Sequence, residues 1–529
     1  MTSQERSTSK SDDSMSESFS AAREFASMAI VVGVLATLGY AFIRDQLAMH
    51  HAETPLIVDV RTTTAEKEAL CGPNTRDGRP TPISMMYSDD KQRWIEDAAQ
   101  IFSKLCPNIQ VKLNAVEDVA SADAILSGSE KPTLWAPADD LIVQYLAARW
   151  KKERPNDQPL FKPEEQTSIA ASPLVLLIWR DRAQVTQRIF AARKATRGPW
   201  VDVNCAQVPI DADLEGVLLS DMVPGTWIDW YNPLLVPPPP PETAAQKAKR
   251  AREKEKKEEV VVAEDPRAFY SAQFPSVEKI RSWGHVKVVH TPPTRSAAGL
   301  ESIYLMAYDY LLPYERRPDE VRKYQQTMRS DPAQRGRVLR LDMLQKDFSD
   351  QLQQQQERFL KWLRRCEAGL DPAPRSVRLL TDSFFHVGSS RYDAIVTYEH
   401  LAFDLFRQID EFGRSIAAME LVYPSPTLMN QHPVVILDAG NLSVEEIRAA
   451  NKWIAYLRST DVQKKAVDMG FRPVASNVSI REHDSVDNPF LKYRRYGIDF
   501  ESPVIEPPRL DSSSIAALVR IWQDATGRN

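Results

Sequence analysis

Apolar residues in this chain come in two rhythms. Short apolar runs recur, and behind most of them an apolar stripe repeats every three to four residues. The first rhythm fits strands and the second fits helices packed on them. Residues 82–87 form the first strand expected. A helix over 90–104 follows, with Trp94, Ala98, Ile101 and Phe102 on one face and Ser88 or Asp89 as its cap. Cys106 and Pro107 stop it. Strands over 109–116 and 132–136 and helices over 119–126 and from Asp139 or Asp140 onward complete three strand–helix units, which predicts an α/β chain with a mostly parallel sheet. Residues 173–179 are apolar without a break, the pattern of a buried parallel strand.

Further on, strands are expected at 286–290, 392–398 and 434–437. Helices are expected from Ser296 through Tyr310 and over 400–406, 444–457 and 461–469, the last ended by Gly470 as C-cap. Two polar stretches interrupt the pattern. One holds five consecutive prolines, 237–241, and a Lys/Glu-rich run, which together read as a polyproline rod and a solvated helix. The other, about 315–375, contains QLQQQQERFLKWLRR with Leu352, Phe359, Leu360 and Leu363 on its better face. The remaining chain from about 491 to 529 reads as a tail with one helix over 513–522.

The N-terminus breaks both rhythms. A polar leader over 1–24 precedes FASMAIVVGVLATLGYAFI at 25–43, which carries no charge. As a helix this segment reaches roughly 28 Å, one hydrocarbon core. It reads as a single retained transmembrane helix, with a cleaved signal peptide as the rival. Arg6, Lys10 and Arg23 precede it and Arg44 and Arg61 follow, a slight bias toward an inside N-terminus. Residues 44–80 would be a linker.

Composition narrows the function classes. The 529 residues carry 67 Lys+Arg against 72 Asp+Glu, a net charge of -5, which speaks against a nucleic-acid binder. With 37 prolines and 18 glycines the chain offers little scope for glycine-rich phosphate loops. No Walker loop, GxSxG, HExxH or dinucleotide fingerprint occurs, and the eight histidines form no metal pattern, so neither a catalytic group nor a cofactor is assigned. Four cysteines, Cys71, Cys106, Cys205 and Cys366, include no CxxC pair. They allow three full pairings, with Cys71–Cys106 the shortest loop.

Polar residues gather instead at the C-terminal ends of the expected strands: Ser88 with Asp89 and Asp90, Glu117 with Asp118, Ala136 with Asp139, Ser296, and Tyr398 with Glu399. Open α/β sheets bind ligands at those ends, where helix N-termini present free N–H groups.

Ordered along the chain, AILSGSEKPTLWAPADD, ASPLVLLIW, HTPPTRSAAGL, YDAIVTYEH, YPSPTLMNQHPVVIL and VQKKAVDMGFRP resemble the bacterial extracellular solute-binding proteins of the molybdate-binding-like type II class. The likeness is greatest to a large membrane-anchored subgroup sometimes encoded beside von Willebrand factor A proteins. It implies two α/β lobes with mixed sheets, preceded by the transmembrane helix and joined by two crossing segments near 171–174 and 423–433. Lobe one would be 80–172 plus 434–490. Lobe two would be 173–433, with insertions at about 232–268 and 315–375. The implied protein is a non-enzymatic receptor of an ABC-type system, held in the inner membrane and facing the periplasm, with a small solute or ion, an ABC permease and a von Willebrand factor A-type protein as partners. The alternative is an interaction protein of the cell envelope on a repurposed fold. The implied binding residues are Ser88, Asp89, Glu117, Asp118, Ala136, Ser296, Ala297, Ala298, Tyr398 and Glu399. The family commonly carries Gly-Ser or Ser-Ser after the second strand, where this chain has Val116, Glu117 and Asp118. Carboxylates there would repel a doubly charged oxyanion, so a cationic, metal-linked or polar neutral solute fits at least as well.

Overall fold

The structure, a computed structural model, describes Cys71 and residues 79–161, 166–197, 224–231, 286–311, 338–339, 345–414, 418–438, 441–500, 504–505 and 510–528, apart from a few single positions, plus a few isolated residues. The leader, the 25–43 segment, the linker to residue 70 and the proline-rich insertion lie outside these residues. Among the described residues no helix is long and apolar enough to cross a membrane.

The chain begins with β1 (Thr81–Tyr87), α1 (Gln92–Leu105), β2 (Ile109–Ala115), α2 (Asp118–Ser127), β3 (Leu134–Ala136), α3 (Asp140–Glu153), β4 (Thr167–Ser168), β5 (Ser172–Trp179) and α4 (Arg180–Arg197). Then come β6 (Val288–Val289), α5 (Ala297–Leu311), β7 (Val338–Leu339), α6 (Gln345–Glu367), α7 (Val377–Val387), β8 (Ala394–Tyr398), α8 (Glu399–Glu411), β9 (Met419–Val422) and β10 (Thr427–Asn430). It closes with β11 (Pro433–Ile436), α9 (Val444–Leu457), α10 (Thr460–Asp468), β12 (Val504–Ile505) and α11 (Ser512–Thr526).

Two mixed sheets result. The first has the order β2-β1-β3-β11-β4, with β1 parallel to β2 and β3 and β11 antiparallel to β3. The second runs β6-β8-β5-β10-β12-β7, with β9 also paired to β5. The expected parallel character of β5 is corrected here: its partners β8, β9 and β10 all run antiparallel to it. Its unbroken apolar run has another cause. Leu174, Leu176 and Ile178 enter one core cluster while Val175 and Leu177 enter another, so both faces are covered.

The chain passes between the sheets at 169–171 and at 431–432. The two passages lie side by side: Ile169 N–H donates to His432 O at 3.2 Å, and Ala171 exchanges backbone bonds with Arg472 at 2.9 and 2.7 Å. His432 has a φ of +39° and precedes Pro433, a combination disfavoured for a branched side chain.

Two segments pack where the sequence did not place them: the polar insertion helix α6, and residues 478–496, of which 478–490 were expected in lobe one and the rest in a tail. In α6, Phe348, Leu352, Phe359, Trp362 and Leu363 are buried in the same cluster as Ile515, Leu518 and Trp522 of α11. Farther along, Phe490, Tyr493 and Tyr496 pack with Phe403 and Phe406 of α8, so residues 478–496 join the core of the second sheet and not that of the first. Cys71 and Cys106 form a disulfide, which ties the chain before β1 to the end of α1.

Candidate functional site

The C-terminal ends of β1, β3 and β8 converge where the two sheets meet. At the end of β1, Ser88 donates its N–H to Ala136 O at 3.0 Å and caps no helix with its side chain, since a single 3-10 turn over Asp89–Lys91 intervenes before α1. That turn aims Lys91 inward, where it is 1% exposed. Its ammonium donates to Asp90 Oδ1 (3.2 Å), Ala136 O (3.1 Å) and Pro137 O (3.2 Å), which uses all three of its donors. Asp89 turns the other way and accepts from Ser376 Oγ at 2.6 Å, next to α7. Burial raises its carboxyl above the usual range.

Asp118 opens α2 and joins the two sheets. Its Oδ1 accepts from Ala138 N–H at 2.9 Å and its Oδ2 from Ala297 N–H, the first residue of α5, at 3.2 Å. Burial, and after it the charge of Asp90, pushes this carboxyl up to about 7. Glu117 is half-buried and makes no side-chain cap. Ala297 thus spends its N–H on Asp118, and Ala298 O accepts from Ser302 Oγ at 2.6 Å. Gly299 is required by packing: a Cβ there would stand 2.3 Å from Thr291 O.

Tyr398 ends β8 and donates its hydroxyl to Glu301 Oε1 at 3.3 Å. Asn430 Nδ2 donates to Glu301 Oε2 at 3.0 Å. Asp139 caps α3 by accepting from Ile142 N–H through Oδ1, while its Oδ2 has no partner within the protein. Burial first and the charge of Asp139 second hold the Glu301 carboxyl well above the usual range. His400 bridges to β5 through Ser172 Oγ (3.0 Å) and to Asp90 O (3.2 Å), stacked on Phe471 at 4.0 Å. Burial lowers it to about 3 and keeps it neutral.

Glu399 is a correction to its expected role. Its oxygens are held by Arg472 in a bidentate pair at 2.8 Å each and by the Tyr423 hydroxyl at 2.5 Å, so it binds the protein to itself. Ser88, Asp118, Ala136, Ser296, Ala297 and Tyr398 do meet at the junction. Sequence reasoning left out Lys91, Ser172, Glu301, Asn430 and His432. Glu301 carried a signal, as an acidic residue among the apolar positions of SAAGLESIYLMAYDYLL. Lys91 and His432 carried none.

Several buried polar atoms at the junction have no partner within the protein: Asp90 Oδ2, Ser296 Oγ, Asn430 Oδ1 and both ring nitrogens of His432. His432 Nδ1 stands 3.7 Å from Asp90 Oδ2. Among the described residues no group of three or more His, Cys, Asp or Glu side chains is arranged to hold a metal. An open groove of about 1070 Å³, lined by Tyr310, Gln354, Arg358 and Trp362 among others, lies on α6 and includes none of the junction residues.

No family model matches the chain, and no curated protein matches it. Solved structures do resemble it in outline. The sulfate-binding protein from Mycobacterium tuberculosis is 13% identical with a TM-score of 0.37, covering 82% of this chain and 96% of that one. The ferric binding protein from Campylobacter jejuni is 10% identical with a TM-score of 0.42, covering 84% and 99%. A periplasmic thiamin binding protein is 12% identical with a TM-score of 0.39, covering 86% and 99%. At TM-scores below 0.5, what the junction does is judged on this chain's own residues.

Proposed function

We propose that this chain is a two-lobed extracytoplasmic solute-binding protein, non-enzymatic, that takes a small polar solute or ion between the two sheets and serves as the receptor of a bacterial ABC-type uptake or sensing system. One observation carries the reading. Buried polar groups in folded proteins are almost always paired, yet Asp90, Ser296, Asn430 and His432 leave polar atoms unpaired at the one place where both sheets and a passage between them meet. A solute that supplies those partners would draw the sheets together across the hinge formed by residues 169–171 and 431–432. The positive φ of His432 puts backbone strain at that hinge. The lobes proposed are 80–172 with 434 to about 477, and 173–433 with 478–496.

The Cys71–Cys106 disulfide supports an oxidising compartment. Together with the uncharged 25–43 segment it supports a single-pass anchor in the inner membrane with the globular part in the periplasm, beside a permease or a von Willebrand factor A-type partner. Protease added to spheroplasts is expected to cut the 232–268 insertion. Protection there would reverse the orientation.

A second reading has its own support. Asp118 and Lys91 satisfy each other's surroundings without any solute, as a cleft converted to a rigid interaction scaffold would. Thermal shift of the full chain separates the two, with anions, divalent cations, sugars and amines at millimolar concentration. A saturable rise in Tm that Ser296→Ala diminishes is expected of the receptor. A flat response to the whole panel leaves only the scaffold.

A further inference from the structure

The charge of the solute follows from how the junction spends its donors and acceptors, an inference that rests on the receptor reading above. Oxyanions bind at helix N-termini through free backbone N–H groups. Here those of Ala297 and Ala138 are already taken by the Asp118 carboxyl oxygens. The unpaired atoms that remain are mostly acceptors, with the Ser296 hydroxyl and one ring N–H of His432 as the donors among them. Asp90 Oδ2 and Asn430 Oδ1 are acceptors, on side chains 2% and 0% exposed. His432, 0% exposed, adds a neutral imidazole with one acceptor nitrogen and one N–H, its Nδ1 3.7 Å from Asp90 Oδ2.

Charge agrees with this inventory. The carboxyl groups of Asp90, Asp118, Asp139 and Glu301 share the junction with one ammonium, Lys91, which is bound to Asp90. His400 and His432 are both held neutral by burial and add nothing positive. Arg472 is paired with Glu399, and Arg378, which also acts on His400, lies against Asp89 and donates to its backbone oxygen. An excess of negative charge in a water-excluded site is costly unless a cation joins it.

We infer that the solute is a small organic cation bearing N–H donors, a primary ammonium or guanidinium compound, which donates to Asp90 Oδ2 and Asn430 Oδ1 between the sheets. Its charge offsets the carboxylates and its hydrogen bonds fill the unpaired acceptors. A quaternary ammonium supplies the charge without the donors and binds poorly.

Calorimetric titration of the full chain tests this with agmatine, putrescine and ethanolamine as donors, tetramethylammonium as the donor-free cation, sulfate and phosphate as anions, and glucose as the neutral probe. Saturable binding of at least one donor cation is expected, about tenfold or more tighter than tetramethylammonium and without matching heat from anions or glucose. Asp90→Asn is expected to weaken it at least about tenfold. Should that variant fail to fold, Asn430→Ala is the substitute, with a loss of about fivefold or more. A folded variant with unchanged affinity overturns the placement. Binding of an anion or of glucose alone overturns the cation while leaving the receptor intact, and equal binding of tetramethylammonium overturns the donor requirement. Silence from every probe overturns both.

Discussion

Asp118 Oδ2 accepts the N–H of Ala297 at 3.2 Å, so a carboxylate from the first sheet's side of the molecule caps a helix packed on the second. The same carboxylate holds Ala138 N–H through Oδ1 at 2.9 Å. Removing it leaves two buried backbone donors unsatisfied. Asp118→Ala is expected to cost about 2 to 6 kcal/mol, from roughly 1–3 for each of the two orphaned donors. Calorimetry reads the loss, and hydrogen exchange adds a local readout: the amides of Ala138 and Ala297 should exchange faster than those of β5. Unchanged protection at both amides would refute the bridge.

Stability should decline as pH rises toward and through 7. Asp118 and Glu420 are both pushed to about 7, chiefly by burial, so folding binds protons there and stability falls as pH rises from about 4 through 7. His400 and His432 act in the opposite direction. Burial lowers both, so the folded state refuses protons that the unfolded chain takes, and stability falls as pH drops below about 6.5. Between about 4 and 6.5 the two effects oppose each other, and above that only the acids act. Denaturant midpoints measured from pH 5 to 8.5 should therefore decline on the alkaline side, and Asp118→Asn should flatten that decline. A monotonic rise to pH 8.5 would contradict it.

Glu399→Gln breaks a buried ion pair on one side only. Arg472, with its side chain 13% exposed, then keeps its charge without its bidentate partner. The expected cost is about 3–5 kcal/mol. Replacing both as Glu399→Leu with Arg472→Met should recover most of it. If the double variant is as unstable as the single one, the cost lies in shape and not in charge.

Reducing the Cys71–Cys106 bond should lower stability by about 3 to 4 kcal/mol, the chain-entropy value for a loop of 35 residues. Thermal melts with and without reductant measure it, and Cys71→Ser should match the reduced protein. Identical melts would show that the bond does not form.

Gly470→Ala should destabilise by roughly 2 kcal/mol. The residue has a φ of +89°, and a Cβ would come within 2.8 Å of the Phe403 ring and 3.1 Å of His400 Cα. A neutral melt would contradict the close approach of α10 to α8.

The sequence by itself determined the periodic elements. Alternating runs and stripes located β1, β2, β5, β8 and the helices after them, because burial of one face leaves its spacing in the chain. It also located Ser88, Asp118, Ser296 and Tyr398 at strand ends, where caps and turns need small or polar residues. Tertiary structure decided everything that depends on who stands opposite. An apolar run shows burial without direction, and so β5 proved antiparallel. The polar spacing of α6 and the C-terminal position of α11 hid two helices that bury each other. Glu399 looked like a ligand residue until Arg472, 73 residues on, met it. Lys91 and His432 lie 341 positions apart by number and share one buried cluster around Asp90. A charge buried by a partner so distant leaves no local pattern, so only the folded chain shows that Asp118 takes the N–H groups of Ala138 and Ala297 while other polar atoms beside it stay unpaired.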